Sequence, residues 1–161
     1  MSEPRPYGLS IDPNTKRTGI CGWLGNVPNG TRTVKAKDGW REMASKLAAM
    51  LETARPDWVA VEGVYMGVNA RTTIDLSKLV GAVELACYRL GVTCFVLTTR
   101  EIDEYAGLRY DNGGRKLACK ALAEWQGLTV ANQDEADAVA VGMAGYARYY
   151  EHSLQEAADV G

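Results

Sequence analysis

Five acidic side chains stand at places where the chain turns from polar to apolar. Asp12 closes the alternating stretch YGLSID (7–12). Glu62 closes the apolar stretch DWVAVEG (57–63). Asp134, Glu135 and Asp137 open NQDEADAVAVGMAGY (132–146), a segment otherwise rich in small apolar residues. Acids in the first turn of a helix are favoured by the macrodipole, by about 0.3–1 kcal/mol each, and for Glu135 that reading suffices. Asp134 and Asp137 are three apart and share a helix face. Asp137 precedes AVAVGMAGYA, apolar around most of the circumference, so that helix is largely buried. A carboxylate entering such surroundings is costly unless a cation meets it, and no lysine or arginine lies between Lys120 and Arg148. A metal ion is the economical partner; ion-paired surface acids are the alternative. Oxygen-only ligation with no nearby histidine favours Mg²⁺ or Mn²⁺ over zinc. Two such ions about 3.5–4 Å apart suit in-line phosphoryl chemistry.

The elements that must position these acids can be read from periodicity. In 7–12, Tyr7, Leu9 and Ile11 face one way and Gly8, Ser10 and Asp12 the other, which is strand alternation. PNTKRTG (13–19) is a turn, ICGWLG (20–25) a second strand and TRTVKA (31–36) a third after the loop NVPNG, an antiparallel meander. Asp38 caps a helix whose apolar residues run from Trp40 to Leu51 and which stops at Arg55-Pro56. DWVAVEG is a short, almost wholly apolar fourth strand, as expected of a central one. On it Glu62 shares a side with Trp58 and Ala60. A helix from about Thr72 presents Leu76, Leu79, Val80, Val83, Cys87 and Leu90 and ends at Gly91. VTCFVLT (92–98) is a fifth strand, 100–126 is helical in two pieces broken near LRYDNGG, and a last helix runs from about Gln133 to Tyr150. The two late strands arrive by helical crossovers and are expected parallel to their neighbours. If Asp12 and Glu62 end neighbouring parallel strands, they sit side by side where open α/β sheets place ligands.

At 161 residues the chain is expected to be one domain, over 1–150, with 151–161 a flexible C-terminal tail. Hydrophobic residues make up 47% of it, enough for a core. No apolar run is long enough to span a membrane, and MSEPRPYGLSID has no apolar signal region, so a cytoplasmic protein is expected. Cys21, Cys87, Cys94 and Cys119 show no metal-ligand spacing and read as reduced core thiols. The net charge of -2 argues mildly against nucleic acid.

Three motifs in order shift that balance. GLSIDPNTKRTG with Asp12, VAVEGVYMGVNA (59–70) with Glu62, and DEADAVAVG (134–142) together resemble the three acidic motifs of RuvC-type Holliday-junction resolvases, over about residues 7–148. The resemblance implies an RNase H-like fold, here a five-stranded mixed sheet flanked by helices on both faces. It implies a homodimer that nicks two strands of four-way branched DNA symmetrically, with no membrane partner. Carried over by position, Asp12, Glu62, Asp134 and Asp137 are the catalytic residues and hold two Mg²⁺ or Mn²⁺ ions. Water attacks the scissile phosphate, leaving 5′-phosphate and 3′-hydroxyl ends. Two bound ions would take the formal charge from -2 to +2. No residue singles out a partner helicase.

The same resemblance makes Tyr65 an aromatic wedge for the junction centre, where stacking on a base is worth about 1–3 kcal/mol; a core tyrosine is the alternative. Asn69, Arg71 and Lys78 beside that loop, and Arg100, Arg115 and Lys116 beyond the fifth strand, are the candidate nucleic-acid contacts; solvated surface charge is the alternative for each cation. Arg115 and Lys116 follow DNGG at an expected helix start, where backbone N–H groups also attract anions. The 72–90 helix is the candidate dimer interface, with ordinary packing on the sheet as the alternative. One stretch departs from the family: REIDEYAGLRYDNGGRK mixes Glu101, Asp103 and Glu104 with its arginines, and Asp103 stands where resolvases often place lysine. Other readings of the sequence are an RNase H-like nuclease for RNA or for other branched DNA, and a non-cleaving junction binder. An actin-like ATPase would need a second Gly-rich phosphate loop and a longer chain.

Overall fold

The computed structural model describes residues 4–65 and 69–159. Strands β1 (Tyr7–Asp12), β2 (Arg17–Leu24) and β3 (Val27–Lys35) form the expected antiparallel meander. Helix α1 (Trp40–Ala54) leads to β4 (Trp58–Glu62), α2 (Ala70–Leu90) to β5 (Thr93–Leu97), and α3 (Thr99–Tyr105), α4 (Arg115–Trp125) and α5 (Gln133–Asp159) complete the chain. The sheet order is β3-β2-β1-β4-β5, with β4 parallel to both β1 and β5. This is the mixed α/β sheet read from the sequence.

Side-chain alternation divides the core in two. Leu9, Ile11, Val59 and Val61 pack with Met43, Leu47, Leu51, Leu79 and Val83 of α1 and α2. Trp58, Ala60, Cys21 and Trp23 pack on the other face with α5 and its neighbours. Asp12 and Glu62 continue the parity of Ser10 and Ala60, which are register partners. They therefore emerge at the carboxyl ends of β1 and β4 on the α5 face. The α5 helix lies close to the sheet because Gly142 faces Trp23, where an added Cβ would stand 2.0 Å from the indole nitrogen. Ser10 ties the layers together: its hydroxyl donates to the Ala138 carbonyl at 2.6 Å and accepts from Trp23 Nε1 at 2.9 Å.

Several boundaries differ from the sequence reading. Strand β2 starts at Arg17, inside the expected turn, and β3 starts at Val27, inside the expected loop. A two-residue turn at Gly25-Asn26, with Gly25 at φ 61°, suffices to join them. Pro28 is accommodated because β3 is an edge strand. Asp38 does not cap α1: the N-cap is Gly39, and the Glu42 carboxylate reaches back to accept from the Lys37 and Asp38 N–H groups. Helix α2 starts two residues early because Asn69 caps it, accepting from Arg71 and Thr72 N–H. Helix α5 continues past Tyr150 through the expected tail to Asp159. Its extension is held by Tyr105, which donates to Glu151, and by Phe95 edge-on to His152; residues 160–161 lie outside the described residues. All four cysteines are free, and no helix among the described residues is long and apolar enough to cross a membrane.

Candidate active site

Asp12 sits at the centre of an acidic cluster drawn from three remote parts of the chain. Burial first, then the charges of Asp137, Glu62 and Asp134, push its carboxyl up to about 8. Among the described residues it accepts no hydrogen bond and meets no cation within 4 Å. Burial likewise raises Glu62, against the opposing pull of Arg115 and of Thr99, whose hydroxyl donates to Glu62 Oε1 at 2.9 Å. Asp137 accepts from Gln133 Nε2 at 2.6 Å. The Cys119 thiol beside it is pushed up to about 12, by burial first and by the Asp137 charge second.

Asp134 follows the ion-paired alternative. Arg17, from the start of β2, places Nη2 3.1 Å from Asp134 Oδ2, out of line for a hydrogen bond. Arg115 approaches Glu62 in the same way, at 3.7 Å. Both arginines come from outside the last helix, which is why the local sequence did not reveal them. Asp137 pairs with no cation among the described residues.

Glu135 needs correction, since the macrodipole is a minor part of its role. Only 5% exposed, it accepts from the Thr31 hydroxyl (2.8 Å), the Thr33 hydroxyl (2.9 Å) and Ala131 N–H (2.9 Å). Together these outweigh its burial and lower its pKa. Asn132 caps the same turn and donates to Thr33. Asn and Glu three apart before an apolar run were a legible capping signal. Their link to β3 was not, because it is made in space.

The donor set fits a hard divalent cation. A carboxylate with no protein partner, set back from solvent among three others, is an arrangement that positive charge would stabilise. Among the described residues, no three His, Cys, Asp or Glu side chains already converge as ligands. Side-chain rotation away from Arg17 and Arg115 is the adjustment that binding would require.

The candidate nucleic-acid contacts fall into distinct settings. Tyr65 is 82% exposed at the end of the segment after β4, which removes the core-tyrosine alternative. The rest of its loop, 66–68, lies outside the described residues. Asn69 uses its side-chain oxygen as the α2 cap. Arg71 and Lys78 line an open pocket of about 460 Å³ with Trp40, Arg41, Asp38 and Asp75, and Lys78 lies 3.8 Å from the Asp75 carboxylate. Arg41 and Lys78 lie 4.9 and 5.6 Å from the Trp40 ring. Arg100 is exposed and paired with Glu104. Lys116 is exposed on the first turn of α4. Arg115 is not a free surface cation: Asp103 holds its Nε at 2.8 Å, beside Glu62. A second pocket, of about 710 Å³, lies between β1, β2, β3 and α1 and contains none of these residues.

Comparison with known proteins bears on the whole chain. The family model described as crossover junction endodeoxyribonuclease RuvC matches residues 9–144. The RuvC protein of Trichlorobacter lovleyi is 30% identical over 158 residues, covering 91% of this chain and 88% of its own. That of Citrifermentans bemidjiense is 29% identical over 147 residues, covering 84% and 88%. Among solved structures, T. thermophilus RuvC in complex with Holliday junction substrate aligns with a TM-score of 0.68 at 20% identity, over 89% of this chain and 96% of that one. The yeast mitochondrial Holliday junction resolvase Ydc2 aligns at 0.64 and 15%, over 95% and 85%. The fold is that of these RNase H-like resolvases.

Proposed function

Because the chain belongs to the RuvC family of crossover junction endodeoxyribonucleases, we propose that it resolves four-way DNA junctions by paired symmetric nicks, as a metal-dependent endonuclease that leaves 5′-phosphate and 3′-hydroxyl ends. The observation that carries this reading is the Asp12 carboxylate, half-buried and unpartnered among the described residues at the carboxyl end of the central strands, its pKa raised first by burial and then by the charges of Asp137, Glu62 and Asp134. Asp12, Glu62, Asp134 and Asp137 would hold two Mg²⁺ or Mn²⁺ ions, which would offset the carboxylate charge and polarise the scissile phosphate and the attacking water. The protein's part is to fix those oxygens on rigid elements, with Thr99 orienting Glu62 and Gln133 orienting Asp137.

A four-way junction has two-fold symmetry, and a two-fold dimer matches it. The exposed α2 residues Ile74, Leu85 and Tyr88 recur at helical spacing around Gly81 and support α2 as that interface. The exposed Tyr65 ring is suited to stacking on an unpaired base. The Arg41, Arg71 and Lys78 pocket is suited to the phosphates of a DNA arm, with Asn69, Arg100 and Lys116 as further contacts.

One observation favours a second reading, a non-cleaving junction binder: Arg17 and Arg115 already lie against Asp134 and Glu62. The two readings separate when the protein is incubated with a labelled four-way junction, a duplex and an RNA–DNA hybrid, each with Mg²⁺, Mn²⁺ or EDTA. Symmetric cuts confined to the junction, lost in EDTA and in Asp12→Asn, are expected. Binding without cuts supports the second reading, and preferential cutting of the hybrid makes the protein an RNA nuclease.

A further inference from the structure

Asp103, which departs from the family pattern, is engaged with both of its oxygens. Oδ1 accepts from Arg115 Nε at 2.8 Å, and Oδ2 accepts from the Tyr110 hydroxyl. Arg115 is the first residue of α4, and its guanidinium lies between Asp103 on one side and Glu62 on the other. Its Nη2 is buried and donates to no acceptor among the described residues. The nearest acid, Glu62 Oε1, is 3.7 Å away, beyond hydrogen-bond reach, and already accepts from Thr99.

This arrangement is poor for stability alone. A buried donor left without an acceptor costs about 1–3 kcal/mol, and buried ion pairs often do no better than apolar packing. A slightly different rotamer would let Arg115 close on Glu62. Asp103 prevents that by holding Nε. Glu62, one of the acids proposed to hold the metal ions, is thereby left without a cation in hydrogen-bond contact.

We propose that Asp103 and Tyr110 are positioning residues: they hold Arg115 off Glu62 and so keep that carboxylate open as a metal ligand. The inference rests on the reading of the four acids as a nuclease site. Freed from Asp103, the guanidinium closes on Glu62, which is then lost as an open carboxylate. Asn at 103 keeps the oxygen that receives Arg115 Nε. Phe at 110 removes only the support of Asp103.

The test compares wild type, Asp103→Ala, Asp103→Asn, Tyr110→Phe, Arg115→Ala and the Asp103→Ala/Arg115→Ala pair. Three quantities are measured: single-turnover junction cleavage, junction affinity in EDTA, and Mn²⁺ affinity of the DNA-free protein by calorimetry. Thermal melts confirm folding. Asp103→Ala is expected to slow cleavage about 10–100-fold, the scale of a misplaced group, with junction affinity within about threefold. Asp103→Asn is expected to recover most of the rate, with Tyr110→Phe between wild type and Asp103→Ala. Asp103→Ala should also weaken Mn²⁺ binding, and the pair should restore it, because no arginine remains to occupy Glu62. Wild-type rates in Asp103→Ala, or unchanged Mn²⁺ affinity in that variant, overturn the proposal. Should Asp103→Ala fail to fold, Asp103→Asn and Tyr110→Phe carry the test, and wild-type rates in Tyr110→Phe overturn it. A wild-type protein that binds Mn²⁺ but cuts nothing defeats the nuclease reading itself, and the inference with it.

Discussion

Gly19→Ala is a one-carbon change that should dismantle the site without touching an acid. Gly19 is the β2 register partner of Asp12 and lies beneath the first turn of α5. A Cβ there would stand 1.9 Å from the Asp134 carbonyl oxygen, 2.3 Å from its carbon and 2.9 Å from the Glu135 nitrogen. Ordinary contact needs at least 3.4 Å, so the α5 backbone must retreat by about 1.5 Å to relieve an overlap of this kind. It cannot retreat freely, because Glu135 and Asn132 bind that turn to Thr31 and Thr33. Overpacking costs about 1–3 kcal/mol, and a weakened hydrogen bond to the Glu135 carboxylate adds about 1 kcal/mol or more. A loss of about 2–4 kcal/mol follows, which for a domain of this size lowers the melting temperature by roughly 5–15 °C. Asp134 and Asp137 move with the turn, and a displacement of about 1 Å costs about 100-fold in rate. The assay pairs thermal denaturation by circular dichroism with junction cleavage at saturating Mn²⁺. Gly22→Ala is the control: it lies on the same strand, and its Cβ would meet only the Tyr7 ring, at 3.6 Å or more. A Gly19→Ala protein within about 0.5 kcal/mol of wild type and within about threefold of its rate would refute the packing argument.

Four further outcomes are expected. The Asp12 carboxyl rises from 3.8 to about 8, by burial first and then by Asp137, Glu62 and Asp134, so the folded protein keeps a proton that the unfolded chain releases. The Asp12 contribution to metal-free stability should be full below about pH 4 and fall as pH rises through about 8, by at most about 6 kcal/mol shared across the coupled acids. Urea midpoints in EDTA that climb from pH 5 to 9 would contradict this, and Asp12→Asn should flatten the slope. Glu135→Ala should cost about 2–4 kcal/mol by stranding two threonine hydroxyls and an N–H, read as a lower urea midpoint; an unchanged midpoint would mean that the α5 tie to β3 is not structural. Tyr65→Ala should weaken junction binding by about 1–3 kcal/mol with the melting temperature unchanged, and equal affinity would remove the stacking role. Leu85→Glu should convert a dimer to a monomer in light scattering, whereas a wild-type monomer would remove α2 as the interface.

The parts of this molecule legible in its sequence are those written in local periodicity. Parity along YGLSID and WVAVE placed Asp12 and Glu62 on one face before any coordinates, and the spacing of Asp134 and Asp137 fixed their common side. Errors of boundary arose where one residue answers to two rules. Pro28 reads as a loop former, yet an edge strand tolerates it. Asp38 reads as a cap, yet the N-cap is Gly39, and Asp38 instead donates its own N–H to Glu42. The larger omission was of another kind. The burial of Asp137 calls for positive charge that the neighbouring sequence lacks, and no cation among the described residues pairs with it. The cations that approach the cluster, Arg17 and Arg115, are more than 100 residues away for Asp134 and more than 50 for Glu62. Sequence separation carries no information about that proximity; strand order does, because β2 is hydrogen-bonded to β1 and its first residue lies at the same sheet end as Asp12. The consequence reaches function. A four-acid cluster flanked by arginines can fold before a divalent ion reaches it, and ion binding then becomes a competition with those arginines. Half-maximal cleavage should accordingly need more metal than the acids alone would require, and Arg17→Ala should lower the Mn²⁺ concentration needed for half-maximal cutting.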